Sequence, residues 1–213
     1  MLDVAILDYQ LNNLHSVEAA CRVAKLRSEV TNDPKKILAA RAIILPGVGA
    51  FGEAMTQLID SGLDACITEF VGSGRPFLGI CLGFQLLFDR SEEFGDHKGL
   101  GLISGSVNRL QFSASPEARY PVPHVGWNSL KKTASWKDSL LENSTEGDLM
   151  YFVHSLYVEP KDKSITLAST QYGEQTYCSV IRQKNIFATQ FHPEKSGPAG
   201  LNIYHTLKQK IQG

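Results

Sequence analysis

Short apolar runs alternate with helix-like patterns through the first half of the chain. The apolar and β-branched runs predict strands at residues 4–7, 29–31, 42–45 and 76–80. Apolar residues that recur every three or four positions predict helices at residues 14–24, 53–59, 63–71 and 82–88. Because strands that alternate with helices usually pair in parallel, this half predicts a parallel sheet covered by helices on both faces.

The second half has a different pattern, because strand-like runs follow one another without helices between them. Strands are predicted at residues 106–110, 149–153, 165–171, 176–181 and 186–191, and a closing helix at residues 201–211. The polar stretch at 183–185 is typical of a hairpin turn. The predicted fold class is α/β, with a mostly parallel central sheet flanked by helices and an antiparallel extension in the second half. We expect one domain over residues 1–213.

Composition and charge exclude several classes of protein. The 21 Lys and Arg residues nearly balance the 22 Asp and Glu residues, and both are scattered. A nucleic-acid partner, which needs a clustered basic field, is therefore not expected. No apolar run approaches the length of a membrane helix, about 18 residues. The amino-terminal segment carries Asp3 and Asp8 without a basic start, unlike a signal peptide. We expect a cytoplasmic protein with no membrane partner.

The four cysteines are far apart in the sequence and form no CxxC pair. Their spacing predicts neither a zinc site nor a disulfide framework, so no metal and no cofactor are expected. Cys21, Cys66 and Cys178 fall on core-facing patterns and are interpreted as small buried apolar residues.

Cys81 lies in a different setting, within the stretch Gly-Ile-Cys-Leu-Gly at residues 79–83. This is the form of a nucleophile elbow, in which small neighbours let a sharp turn between strand and helix hold the reactive residue in a strained conformation. The alternative is a buried cysteine in a glycine-rich turn. The pattern favours Cys81 as a nucleophile.

His192 follows a predicted strand, and Glu194 stands two residues later. A nucleophilic cysteine needs a base, and the base needs an orienting acid. The intervening Pro193 restricts the local backbone and ends the strand. The alternative is a loop histidine beside a solvated glutamate. Together with the elbow, these residues predict a catalytic set of Cys81, His192 and Glu194.

A glycine-rich turn at residues 46–52 matches G-x-G-x-x-G, the pattern of a dinucleotide site. That fingerprint belongs on the first strand-to-helix turn, whereas this turn follows about the third strand and begins with Pro46. Phosphate binding remains an open alternative. The interpretation we favour is that the backbone N–H groups of the turn face a developing oxyanion beside Cys81.

These motifs together resemble the class I (triad) glutamine amidotransferases. The matching stretches are Pro-Gly-Val-Gly at 46–49, Gly-Ile-Cys-Leu-Gly-Phe-Gln at 79–85 and Gln-Phe-His-Pro-Glu at 190–194. Further stretches are similar to the glutaminase subunits of imidazole glycerol phosphate synthase: Pro-His-Val-Gly-Trp-Asn at 123–128, Tyr-Phe-Val-His-Ser at 151–155, Tyr-Gly at 172–173 and Lys-Ser-Gly at 195–197. The turn at residues 8–13 departs from the pattern, because many relatives carry glycines there.

The resemblance implies hydrolysis of L-glutamine through a γ-glutamyl thioester on Cys81. It implies that His192 acts as the general acid and base and that Glu194 orients its ring. The oxyanion donors implied are the backbone N–H groups of Val48 and Leu82. The glutamine contacts implied are Gly49, Gln85, His154 and Ser155.

The resemblance also implies a partner, a cyclase subunit with a (β/α)₈ barrel, in a heterodimer of histidine biosynthesis. Because free ammonia is mostly protonated at neutral pH, it is expected to pass directly to that partner. The implied interface residues are Asn13, Trp127, Tyr151 and Lys195. Since glycine allows cheap peptide rotation, the Gly47–Val48 peptide is expected to turn its N–H into the site only when the partner holds its ligand.

Three alternatives are weighed against this interpretation. A glutaminase of another pathway, such as pyridoxal phosphate or anthranilate synthesis, is disfavoured by Val48-Gly49 and by the motif at 124–128. A peptidase-like or glyoxalase-like protein would share the elbow but would not explain residues 192–194. A catalytically silent binding module is disfavoured because Cys81, His192 and Glu194 are all present.

Overall fold

The computed structural model describes residues 2–10, 14–112 and 120–212. The helices are α1 (Leu14–Val23), α2 (Pro34–Ala39), α3 (Phe51–Asp60), α4 (Leu63–Gly72), α5 (Leu82–Gln85) and α6 (Gly197–Gln212). The strands are β1 (Val4–Leu7), β2 (Ser28–Thr31), β3 (Ala42–Leu45), β4 (Phe77–Ile80), β5 (Phe88–Ser91), β6 (His97–Lys98), β7 (Ile103–Arg109), β8 (His124–Ser129), β9 (Lys131–Lys132), β10 (Leu149–His154), β11 (Leu156–Pro160), β12 (Thr166–Tyr172), β13 (Gln175–Gln183) and β14 (Ile186–Thr189). Short 3-10 helices lie at Lys163–Ile165 and Pro193–Lys195.

The parallel part of the main sheet has the strand order β2-β1-β3-β4-β14. Strands β1, β3, β4 and β14 are buried along their whole length, as expected for strands covered on both faces. Val4 and Ile6 belong to the core beneath α1 and α6, whereas Ala5 and Leu7 belong to the core beneath α2, α3 and α4. The predicted α/β class, with helices on both faces of a parallel sheet, is confirmed.

The second half of the chain extends this sheet with antiparallel strands. Strand β13 pairs antiparallel with β14, β11 and β12, and β11 pairs antiparallel with β7. Strand β5 then pairs with β7 in parallel. The predicted hairpin is confirmed, because β13 ends at Gln183 and β14 begins at Ile186. Strands β8 and β10 form a separate antiparallel pair in which Trp127 lies opposite Tyr151.

The helix predicted over residues 82–88 is wrong beyond its first turn. Helix α5 ends at Gln85, and β5 begins at Phe88 and pairs with β7. Residues 82–88 are all buried, so the apolar positions define no single helix face. Pairing with a strand farther along the chain decides the conformation instead.

Helix α2 and strand β8 are absent from the sequence-based prediction. Helix α2 does carry a start signal, because the Asp33 carboxylate accepts the Lys35 N–H at 2.9 Å and Pro34 occupies the first turn. The apolar pattern of β8 is misleading, because Val125 and Trp127 are exposed rather than buried.

The carboxyl ends of three neighbouring strands meet at one edge of the sheet. Strand β3 leads into the turn at residues 46–50, β4 leads into Cys81, and β14 leads towards His192. Because β3, β4 and β14 are adjacent and parallel, their ends bring together three segments that are distant in sequence. This edge is where ligand sites of open α/β sheets generally lie.

Candidate active site

Cys81 occupies a strained turn between β4 and α5, with φ 55° and ψ −110°. Positive φ is unfavourable for a residue with a Cβ, so the surrounding structure must hold it in place. The Cys81 N–H donates to the Thr189 carbonyl at 2.8 Å. A Cβ at Gly83 would overlap the Leu45 carbonyl oxygen, so glycine there lets the chain turn closely against the end of β3. The elbow predicted from the sequence therefore has the expected geometry.

The Cys81 sulfur lies between an acceptor and a donor. Its Sγ is 3.8 Å from the Val153 carbonyl oxygen and 3.8 Å from Nε2 of Gln190. The side chains of the other three cysteines are buried elsewhere, and burial is the first cause that raises the pKa of Cys21, Cys66 and Cys178. Burial disfavours a thiolate, so these three thiols are poor nucleophiles.

His192 and Glu194 form a buried ion pair at the end of β14. Nδ1 of His192 lies 2.8 Å from Oε1 of Glu194, and the two side chains are only 4% and 2% exposed. The His192 N–H donates to the Tyr151 carbonyl at 2.9 Å, and the Ser196 hydroxyl donates to the His192 carbonyl at 2.6 Å. The backbone of the loop is thus held on both sides of the ring.

The environment of His192 favours its protonated form. Burial by itself lowers the pKa of His192, but the charges of Cys81 and of the Glu194 carboxylate act in the opposite direction and raise the pKa to about 10. Within the described residues, the buried Nε2 of His192 has no partner with full hydrogen-bond geometry. Nε2 is therefore available to a reacting group beside Cys81.

The turn after β3 and the start of α5 present unused backbone donors. Within the described part of the chain, neither Val48 nor Leu82 donates its backbone N–H to another group. Gly47 is buried between Tyr9 and Leu82, because a Cβ there would overlap the Tyr9 hydroxyl and lie 3.0 Å from the Leu82 Cβ. The Tyr9 hydroxyl donates to the Pro46 carbonyl at 2.8 Å and so holds the base of the turn.

Gln85 and His154 are both buried and share one acceptor. Nε2 of Gln85 donates to the Leu156 carbonyl at 3.1 Å, and Nδ1 of His154 donates to the same oxygen at 2.7 Å. Nε2 of His154 is 3.1 Å from the Tyr177 hydroxyl, so both ring nitrogens of His154 are already engaged. Burial lowers the pKa of His154 to about 3, which keeps its ring neutral. The neutral His154 ring therefore holds the Leu156 carbonyl and the Tyr177 hydroxyl in place.

A cavity of about 610 Å³ adjoins this region, and Ser155 lines it. Glu93, which sequence reasoning did not single out, also lines the cavity and accepts the Phe51 N–H at 2.6 Å. Arg109 adds a positive charge to the lining. Gly49, in the turn after β3, is exposed with φ 101°, a conformation that favours glycine. No sequence signal distinguished Glu93 from its neighbour Glu92.

Three of the sequence-predicted interface residues lie within the described part of the chain. Trp127 of β8 is 55% exposed, and its ring lies 5.9 Å from that of Tyr151 of β10 in an edge-to-face arrangement. Lys195 lies in the 3-10 helix just after the ion pair and is half-buried. Asn13 lies outside the described residues.

Metal and membrane features are not evident in the described part of the chain. No cluster of three His, Cys, Asp or Glu side chains among the described residues could hold a metal ion. Likewise, no described helix is both long and apolar enough to cross a bilayer.

Comparisons with known proteins bear on this geometry. The family model described as glutamine amidotransferase class-I matches residues 2–206. The "Imidazole glycerol phosphate synthase subunit HisH" of Rhodopirellula baltica is 42% identical over 200 residues, which cover 94% of each chain. The subunit of the same name from Nostoc punctiforme is 45% identical over 209 residues, covering 98% of this chain and 96% of the relative.

Solved structures resemble the fold at much lower sequence identity. A crystal structure described as a glutamine amidotransferase has a TM-score of 0.74 at 15% identity, with 99% of each chain covered. A chain in the structure of PurLQS from Thermotoga maritima has a TM-score of 0.69 at 17% identity, covering 100% of this chain and 98% of that one. At these identities the likeness concerns the fold alone.

Proposed function

The chain belongs to the class I glutamine amidotransferase family, and from that membership we propose that it hydrolyses L-glutamine at Cys81 and passes the ammonia to a cyclase subunit. It serves as the glutaminase subunit of imidazole glycerol phosphate synthase, in histidine biosynthesis. The observation that carries the proposal is that Cys81 and the His192–Glu194 ion pair follow the carboxyl ends of adjacent parallel strands, β4 and β14.

The chemistry follows from the three side chains. The Cys81 thiolate attacks the carboxamide carbon of glutamine, and the carbonyl π electrons move to the oxygen. When that oxyanion collapses, the C–N bond breaks and protonated His192 supplies the proton that converts the leaving amide to ammonia. Neutral His192 then takes a proton from water as it attacks the thioester, and the C–S bond breaks to return the thiolate. Glu194 stabilises the imidazolium whenever His192 is protonated.

The oxyanion needs donors that are not already in use. The N–H of Leu82, next to Cys81 in the chain, and that of Val48, in the turn that packs against Leu82, meet that condition. Preorganised donors of this kind are worth about 3 kcal/mol each in the transition state. Rotation of the Gly47–Val48 peptide when the partner binds its ligand remains a proposal, supported by the exposure of Val48.

The adjoining cavity suits the head group of an amino acid. A glutamine zwitterion carries an ammonium, which the Glu93 carboxylate complements, and a carboxylate, which Arg109 complements. Gly49 and Ser155 are the backbone and hydroxyl groups that we propose to hold the substrate between this cavity and Cys81. Both N–H groups of Gln85 bind protein acceptors, so its Oε1 is the atom we propose for substrate contact.

The partner is proposed to be a (β/α)₈-barrel cyclase that docks on the β8–β10 pair. Alternate residues of this pair expose one apolar face, in which Val125, Trp127 and Leu149 are each more than half exposed. Exposed apolar clusters of this kind are typical of protein interfaces. The carbonyl of Tyr151, in β10 of this pair, accepts the His192 N–H, so the proposed docking pair adjoins the loop that carries His192. The synthase's ring-forming lyase chemistry belongs to the partner.

The proposed function is tested by incubating the chain and the barrel cyclase with glutamine and measuring glutamate release. We expect release to rise when the cyclase holds its own ligand and to be matched by ammonia incorporated in the cyclase product. Absence of glutamate release from the folded complex would contradict the proposal.

Truncating the exposed aromatic of the docking face should weaken the complex. Trp127→Ala is expected to raise the dissociation constant for the cyclase by about ten- to a hundredfold, because aromatic anchors dominate interface energies. Titration calorimetry measures this directly. Ile59→Ala is the matched control, since Ile59 of α3 is 56% exposed on another surface. Equal affinities of the two variants for the cyclase would show that the β8–β10 pair is not the interface.

Neutralising Glu194 should shift the alkaline limit of activity. Glu194→Gln keeps the size of the side chain but removes the anion that favours protonated His192, so the pKa of His192 falls from its raised value of about 10. The protonated general acid is then lost at lower pH, and the alkaline limb of kcat/KM moves down by at least about one pH unit. Glu29→Gln, at an exposed ion pair with Lys36, should leave the profile unchanged. An unmoved limb in Glu194→Gln would exclude this role.

A further inference from the structure

Gln190 is a buried amide that touches the reactive sulfur and has no part in the mechanism described so far. It follows β14, and its side chain has no exposed surface. Its backbone N–H donates to the Ser179 carbonyl at 2.9 Å, which fixes where the side chain starts. Its Oε1 lies 3.2 Å from Nε2 of Gln85, and its Nε2 lies 3.8 Å from the Cys81 sulfur.

The orientation of this amide follows from a single backbone carbonyl. The Leu156 oxygen can only accept, so the Gln85 atom that faces it must be the Nε2 donor. The second hydrogen of that nitrogen points to Gln190, which must therefore present its Oε1 acceptor. The opposite end of the Gln190 amide, an N–H donor, then faces Cys81. His154 keeps the Leu156 carbonyl in place by donating to it at 2.7 Å.

We propose that Gln190 donates its amide N–H to the Cys81 sulfur and favours the ionised, nucleophilic form, while Gln85 holds Gln190 in this orientation. A donor strengthens when its acceptor becomes an anion, and burial strengthens it further. The Val153 carbonyl, also 3.8 Å from the sulfur, has the opposite preference because it accepts from a thiol but repels a thiolate. The Gln190 N–H therefore offsets the preference of the Val153 carbonyl for the neutral thiol.

The charged neighbours of Cys81 can be separated from this effect. His192 and Glu194 supply the ion pair at the end of β14. Tyr9 of the turn after β1 is kept neutral because burial, and then the charge of Cys81, raises its pKa far above the ordinary value. His154 of β10 is kept neutral because burial lowers its pKa to about 3. Gln190 does not titrate, so its replacement changes hydrogen bonding to the sulfur without removing a charge.

The test is the rate at which iodoacetamide alkylates Cys81 in the complex with the cyclase, measured by mass spectrometry across a range of pH. Gln190→Met keeps a side chain of similar length but removes the donor. We expect the alkylation midpoint, the pH at which the rate reaches half its maximum, to move up by about one pH unit in this variant. The reaction at neutral pH should then be about tenfold slower. Gln190→Glu keeps the shape and should slow the reaction further, since a carboxylate repels the thiolate. Cys81→Ala defines the background from the other thiols.

Gln183→Met is the matched control, because Gln183 is a half-buried amide that donates to the Leu102 carbonyl away from Cys81. Its alkylation profile should equal that of the unmodified protein. Unchanged midpoints in folded Gln190→Met and Gln190→Glu would overturn the inference. The inference rests on the proposed nucleophilic role of Cys81, but alkylation needs no glutamine. A shifted midpoint with no glutamate release from the unmodified complex would therefore contradict the proposed function and leave the role of Gln190 standing.

Discussion

Replacing Cys81 with alanine is expected to abolish glutamine hydrolysis while leaving the cyclase reaction with added ammonium salt intact. Alanine cannot form the thioester, and burial raises the pKa of the three remaining thiols, which makes them poor nucleophiles. Loss of a covalent nucleophile typically lowers kcat by about a thousandfold to a millionfold. The fold should survive, because the elbow is held by Gly83 packing and the Cys81 backbone N–H rather than by the sulfur.

The measurement is glutamate release by the complex, with product formation from ammonium salt at alkaline pH as the companion assay. Cys66→Ala is the matched control, because it removes a buried thiol from α4, at a distance in the fold from the elbow. It should retain full glutaminase activity. If Cys81→Ala released glutamate at an undiminished rate, the nucleophile assignment would be wrong.

The second large effect is expected for His192→Asn. Asparagine can still donate to Glu194 from a similar position, so the buried carboxylate keeps a partner. It lacks the ring nitrogen Nε2, which in the proposed mechanism delivers a proton to ammonia and later accepts one from water. The loss of general acid and base catalysis predicts a fall in kcat of about a hundredfold to ten-thousandfold.

His192→Asn should also slow alkylation of Cys81, because the protonated ring no longer favours the thiolate. His205→Asn is the control, since His205 lies exposed on α6. A normal kcat with only a raised KM in His192→Asn would show that His192 binds glutamine instead of transferring protons. Circular dichroism of both variants verifies that the loop change has not unfolded the chain.

Much of the parallel sheet could be predicted from the sequence alone. The apolar runs of β1, β3 and β4 are buried on both faces, so they stand out as short uninterrupted segments. The segment after Gln85 was wrongly predicted to be helical, because residues 82–88 are all buried and both a helix and a strand satisfy that pattern. Its pairing with β7 is a tertiary contact, which local periodicity does not contain.

The outward face of β8 illustrates the same limit from the opposite direction. Val125 and Trp127 are apolar yet exposed, so a rule that places apolar side chains in the core misassigns the strand. The same exposure is what makes this strand pair a reasonable docking surface. The motif at 123–128 indicated a family resemblance without indicating which of its side chains point outward.

The sequence by itself determined that Cys81 and the His192–Glu194 pair lie at strand ends, because glycine spacing and apolar runs are local properties. Cys81 between two glycines, and His192 two residues before Glu194, are evident in the sequence. Only the tertiary structure decided what surrounds the sulfur. The Val153 carbonyl is 72 positions from Cys81 and the Gln190 amide is 109 positions away. The balance between these two contacts is set by how β4, β10 and β14 pack together.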